Sequence, residues 1–221
     1  MFSIPPWTRI AREQCDDQSV AVLLHRLASV EIQRGNLARV RSLAEESLAG
    51  HRKAGFPKGE AQALTSLAEV EEAEGNPERA LELLDEARRL SEEVGFRWWQ
   101  AGALARMGRT LVALGRLDEA GQRARSALAI SSSMHDRPGT IYELRLLGEI
   151  SGRSGDHRRA GTLWGAVDAE ADRAPVSWWL HGRQEPERVP EQPDAEFELG
   201  WEEGRALSLD DAVAFALDED Q

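Results

Sequence analysis

The sequence predicts an all-α fold, a right-handed α-solenoid of stacked helix hairpins, from three observations. A glycine-led segment recurs at a fixed interval, as Gly35-Asn36-Leu37-Ala38-Arg39-Val40, Gly75-Asn76-Pro77-Glu78-Arg79-Ala80, Gly115-Arg116-Leu117-Asp118-Glu119-Ala120 and Gly155-Asp156-His157-Arg158-Arg159-Ala160, a period of 40 residues. A period in that range marks a stacked array. Ahead of each glycine stands an apolar residue followed by a small one: Leu27-Ala28, Leu67-Ala68, Met107-Gly108 and Leu147-Gly148. Such a pair lets two helices approach closely. Behind each glycine runs an i, i+4, i+7 stripe: Val40, Ala44, Ser47; Ala80, Leu84, Ala87; Ala120, Ala124, Ala127; Ala160, Trp164, Val167. That spacing is the buried face of a second helix.

Each unit therefore reads as a helix, a tight turn at the glycine and an antiparallel helix. The expected hairpins pair 19–34 with 37–53, 59–74 with 77–94, 97–114 with 117–134, and 138–154 with 157–172. Pro77 suits a first turn, where its missing N–H costs nothing, and Gly95 suits a left-handed exit. Upstream, a shift of 40 lays Trp7–Cys15 on Ser47–Gly55, the end of a second helix. Residues 1–18 read either as a partial repeat, the chain then being the C-terminal piece of a longer protein or a truncated frame, or as a capping helix begun by Pro5-Pro6.

Beyond Asp172 the period fades. Pro175, Pro186, Pro190 and Pro193 forbid a long helix, so an extended strap is expected, anchored by Trp178-Trp179. Short helices follow at 195–204 and 209–217, the second started by Ser208 with Asp211 three residues later. The domain expectation is thus 1–18, four hairpins over 19–172, and a strap with C-terminal capping helices over 173–221.

The order of apolar-small pair, turn glycine, alanine and large residue resembles the tetratricopeptide repeat, whose period is about 34 residues. Here the units are longer, and the signature Trp and Tyr of the first helix are replaced by Leu24, Leu64, Leu104 and Leu144 and by Glu31, Glu71, Leu111 and Ser151. The tail resembles the end of a class of large bacterial regulators common in actinobacteria, the LuxR-type and AfsR-type activators. Leu163-Trp164-Gly165-Ala166, Phe197, Gly200-Trp201, Gly204 to Leu209, Ala212-Val213 and Ala216-Leu217 carry it. The resemblance implies the sensor array of a signal-transduction ATPase with a DNA-binding or cyclase effector. The phosphate-loop pattern of that ATPase is not in this sequence.

Composition narrows the function. A net charge of −12 argues against a general nucleic-acid or anionic-membrane surface. Of 27 basic residues only Lys53 and Lys58 are lysines, a hint of a GC-rich genome. One cysteine, Cys15, forms no internal disulfide, and the expected setting is a reduced cytoplasm. Apolar runs fall short of a membrane span, and Met1–Trp7 lacks the pattern of a signal peptide.

Catalytic groups are scattered: His25, His51, His135, His157 and His181 show neither a zinc spacing nor a pairable nucleophile. Gly148, Gly152 and Gly155 imitate a nucleotide loop, but repeat register explains two of them. We therefore expect a non-enzymatic interaction or sensor scaffold with no cofactor and no metal, a protein or peptide partner, and self-association through the N-terminal repeat. The alternative is a peptide or small-ligand receptor. Lining a concave groove, by register, are His25, Thr65, Ala105 and Arg145; Ser29, Glu69, Arg109 and Glu149; and Val22, Gln62, Gly102 and Tyr142. Arg109 and Arg145 are the residues suited to gripping a carboxylate. Trp98-Trp99 and Trp178-Trp179 stand 80 apart, two periods, and serve either inter-repeat packing or a partner anchor.

Overall fold

The computed structural model describes residues 17–173 and 193–218. The expected partial repeat at the N-terminus, Cys15, and the strap with Trp178-Trp179 lie outside them. The described residues form ten helices and no strand: α1 (Asp17–Gln33), α2 (Leu37–Ala54), α3 (Pro57–Ala73), α4 (Pro77–Glu93), α5 (Arg97–Ala113), α6 (Leu117–Ser133), α7 (Arg137–Arg153), α8 (His157–Arg173), α9 (Ala195–Arg205) and α10 (Leu209–Leu217). They divide into two compact units, Met1–Ala103 and Leu104–Gln221, with the boundary inside α5.

The turns explain the regularity. Left-handed backbone occurs at Gly35, Gly55, Gly75, Gly95, Gly115, His135 and Gly155, one every 20 residues. At each, the N–H after the left-handed residue bonds back five residues: Asn36 to Glu31, Phe56 to His51, Asn76 to Glu71, Phe96 to Ser91, Arg116 to Leu111, Asp136 to Ser131 and Asp156 to Ser151. This satisfies the orphan carbonyls of the preceding helix. The sequence marks the 40-residue period through every second turn; the intervening turns use Gly55, Gly95 and His135.

Within unit 1, α1 packs on α2, α2 on α3, α3 on α4, and α1 on α3. Its core gathers Leu24, Ala28, Val40, Leu43 and Val70, edged by Val20, Leu27, Ile32 and Leu37. Within unit 2, α6 packs on α7, α7 on α8, and α8 on α9, while α10 lies against α6, α7 and α8. Every stripe residue expected from the sequence is buried, from Val40 to Val167. Gly148 admits Trp164, whose indole occupies the space a side chain would need there.

The α8–α9 contact rests on four glycines. A Cβ at Gly161 would strike the Phe197 carbonyl, at Gly165 that of Trp201, at Gly200 that of Arg158 and at Gly204 that of Thr162. Two Gly-x-x-x-Gly helices thus lie backbone on backbone. The contacts advance along both helices together, from His157–Asp194 to Arg173–Leu207, so the pair is parallel. Gly200 and Gly204 stand 40 residues after Ala160 and Trp164. By direction α9 runs with α8, and with α10 it forms the helical C-terminal cap of the array. Arg159 fixes α10, donating to the carbonyls of Phe215, Ala216 and Asp218 with its guanidinium 4.8 Å from the Phe215 ring.

Two substitutions separate these effects. Gly200→Ala forces α9 off α8 and costs about 2–4 kcal/mol, as overpacking against rigid backbone does. His135→Gly relieves a left-handed non-glycine residue and stabilises by roughly 0.5–1 kcal/mol. Urea titration of both variants, followed by far-UV circular dichroism, checks the opposite signs.

Candidate functional site

In unit 1 the first helices meet through Trp99. Its indole N–H donates to Thr65 Oγ1 at 3.1 Å, and its ring stands edge-on to His25, centroids 6.2 Å apart at 72°. Thr65 donates onward to the Ala61 carbonyl at 2.9 Å, and Ser29 Oγ to the His25 carbonyl at 3.1 Å. Phe96 stacks on Trp99 at 5.8 Å and 19°, with Lys58 Nζ 5.4 Å from the Phe96 ring. Trp98 tilts against Trp99 at 5.4 Å yet is 46% exposed. The tryptophan doublet therefore divides its work: Trp99 packs between repeats and Trp98 faces solvent.

Trp99 brings His25 and Thr65 together, while Ser29 stays exposed one turn after His25 on α1, and Gln62 and Glu69 lie half-buried one turn to either side of Thr65. Burial holds the His25 imidazole down to about 4, helped by the nearby His51 and Arg26. Such a histidine is neutral at pH 7.

In unit 2 the expected site residues turn toward each other. Arg109 on α5 donates to Glu149 on α7 at 2.5 Å, and Arg153 bonds the other carboxylate oxygen at 2.9 Å. The Glu149 side chain is 1% exposed. Arg109 thus grips a carboxylate, and that carboxylate belongs to this chain. Arg145 lies 5.7 Å from the Trp164 ring, and Tyr142 is buried. A second buried carboxylate, Glu143, accepts a hydrogen bond from Ser131 at 2.9 Å. Sequence reasoning weighed His51 only as a metal ligand and gave no role to Phe96, Lys58 or Glu143. Phe56 and Phe96 both follow a left-handed glycine, which was a readable signal; nothing in the spacing marked Glu143.

Among the described residues there is no group of three or more His, Cys, Asp or Glu able to hold a metal ion, and no helix long and apolar enough to cross a membrane. The surface is laced instead with arginine–carboxylate pairs that join neighbouring helices, both within a hairpin and between successive repeats. Arg41 bridges to Glu71 and Glu74 at 2.8 and 2.9 Å, Arg52 to Glu86 at 2.8 Å, and Arg137 to Glu170 at 2.7 Å.

Removal of one partner from the buried pair has a definite sign. Arg109→Ala leaves the buried Glu149 charge leaning on Arg153 of its own helix and costs about 2–3 kcal/mol, below the full penalty of an uncompensated buried ion. Adding Glu149→Gln recovers about half of that loss by removing the charge. Thermal unfolding of the single and double variants checks the coupling.

Residues 19–93 match the tetratricopeptide-repeat family. Among curated proteins, inferred HTH-type transcriptional regulators of Mycobacterium bovis and Mycobacterium tuberculosis are 30% identical to this chain over 113 residues, covering 49% of it. The chain matches only 13% of the length of those relatives. Among solved structures, the repeats of an inferred kinesin light chain of Podosopora anserina superpose with a TM-score of 0.58 at 16% identity, covering 96% of this chain and 95% of that one. A single-substitution form of those repeats gives 0.58 at 19% identity over 79% and 80%. At such identity the likeness concerns the fold, a tetratricopeptide-type array of helix hairpins.

Proposed function

We propose that this chain is a protein-interaction and sensing scaffold, the tetratricopeptide-like part of a bacterial transcriptional or signalling regulator, working in the cytoplasm without chemistry of its own. The observation that carries the reading is Trp98. It is a large indole left 46% exposed on an aromatic bed of Phe96 and Trp99, at the start of a first helix. Exposed tryptophans on rigid supports are the side chains that dominate protein interfaces. The mycobacterial relatives support the regulatory setting, and the repeat fold supports a binding rather than catalytic role.

On this reading the partner contacts the first-helix face of unit 1, with Trp98 as anchor and His25, Ser29, Gln62, Thr65 and Glu69 around it. In unit 2, Arg109, Tyr142, Arg145 and Glu149 order the framework, since Arg109 is occupied by Glu149 and Tyr142 is buried. That arrangement favours a scaffold over a small-ligand receptor.

The test is a photo-crosslinking amino acid placed at position 98 in cells, with position 199 as an exposed control. Discrete adducts to a transcription or signalling protein from position 98 alone support the reading. Adducts that are absent, or the same from both sites, overturn it. Trp98→Ala should change folding stability by less than about 1 kcal/mol, as exposed substitutions do, while Trp99→Ala costs about 3 kcal/mol through lost packing.

A further inference from the structure

We infer that unit 1 contains an acid-operated latch, in which protonation of His51 and His25 loosens α1–α3 while α7 and α8 of unit 2 stay closed. The latch shares His25 with the surface proposed above, but its test needs no partner.

His51 is 0% exposed, and neither of its ring nitrogens has a hydrogen-bond partner; Nδ1 of His25 likewise has none. The His51 ring lies 5.4 Å from Phe56 and fills the space over Gly59, where any Cβ would collide with it. Register shows how unusual this is. At the same place in the next two repeats stand Ser91 and Ser131, both buried and both donating a hydrogen bond, to the Ala87 carbonyl at 2.7 Å and to Glu143 at 2.9 Å. One repeat has exchanged a small satisfied hydroxyl for a titratable ring without partners.

Charging that ring in place has no compensation. Imidazolium brings a second N–H to satisfy and a charge to solvate in an apolar setting. Along the chain the two rings are flanked by Arg26 on α1, Arg52 and Lys53 on α2, and Lys58 and Glu60 at the start of α3. Glu60 faces Arg52 at 3.5 Å, and the further carboxylates of α1–α3, Glu31, Glu45, Glu46, Glu69, Glu71 and Glu72, leave both His51 nitrogens without a hydrogen bond. Burial lowers the affinity of both histidines for protons, His25 to about 4. For a base whose folded value lies below its unfolded one, the unfolded chain binds more protons between the two. The stability so conferred is complete above about pH 6.5 and is lost as pH falls toward about 4. Unit 2 buries no such unpartnered ring among its described residues: His135 is exposed, and the His157 ring has Asp194 as a hydrogen-bond partner at 2.5 Å.

Hydrogen exchange read by mass spectrometry at pH 7 and pH 5, corrected for intrinsic exchange rates, tests the latch on the full chain. Protection of α1–α3 amides should fall about tenfold or more relative to α7–α8, the size expected when about one pH unit of proton linkage is released. His51→Ser installs the hydroxyl of the neighbouring repeats, and His25→Asn removes the second titrating ring without depending on the first variant's folding. Either substitution should shrink the selective loss. An equal loss in the two units, no loss at all, or a selective loss undiminished in both variants overturns the latch.

Discussion

Everything in this structure depends on the left-handed turn that recurs every 20 residues. A helix ended by a residue in that conformation passes its last carbonyls to the N–H groups just beyond and reverses within about three residues. With the turn fixed, the helices of the four hairpins have no freedom in length, and α1 to α8 each run 17 or 18 residues. Residues 40 apart then sit at equivalent places, and a stripe that works once works in each hairpin. His135 holds the conformation without being glycine, so the turn is imposed by the packing of α6 and α7 as much as by local preference.

That constraint is why so much of the fold was legible. The glycines of alternate turns and the Val40, Ala80, Ala120, Ala160 series are features of single residue types, and the boundaries they imply fall within about two residues of those observed. How the C-terminal cap docks was not legible, because the close approach of α9 is made at Gly200 and Gly204. Glycines carry no hydropathy, and their use here is geometric: they bring α9 onto the backbone of α8. The parallel direction of that pair is invisible to periodicity as well.

The candidate site was legible only as a set of positions. Register placed Arg109 and Glu149 at equivalent points of successive repeats, and that equivalence is what lets them meet. A stacked array puts residues one period apart within reach of each other, so two opposite charges at one register position neutralise before any ligand does. Trp99 over Thr65, 34 apart, and Arg41 with Glu71, 30 apart, also join neighbouring hairpins, by other offsets set by the helices they stand on. Partner choice in a solenoid is first an internal matter, and the ligand receives what internal pairing leaves.

That reasoning bears on how the surface divides. Exposed ion pairs contribute little stability each, and the arginines of this chain form them both locally, as Arg79–Glu82 and Arg116–Glu119, and between helices, as Arg41–Glu71 and Arg137–Glu170. What remains for recognition must be a group that internal pairing cannot saturate. A carboxylate or guanidinium is quenched by its counterpart, whereas an indole face whose edge is already packed keeps its apolar area available. Trp98 meets that condition because Trp99 beside it has taken the packing role: the polar N–H of one ring is spent on Thr65, and the neighbouring ring is held rigidly outward at little entropic cost. Adjacent aromatic residues at a hairpin junction thus yield one support and one presented surface, and neither could do both.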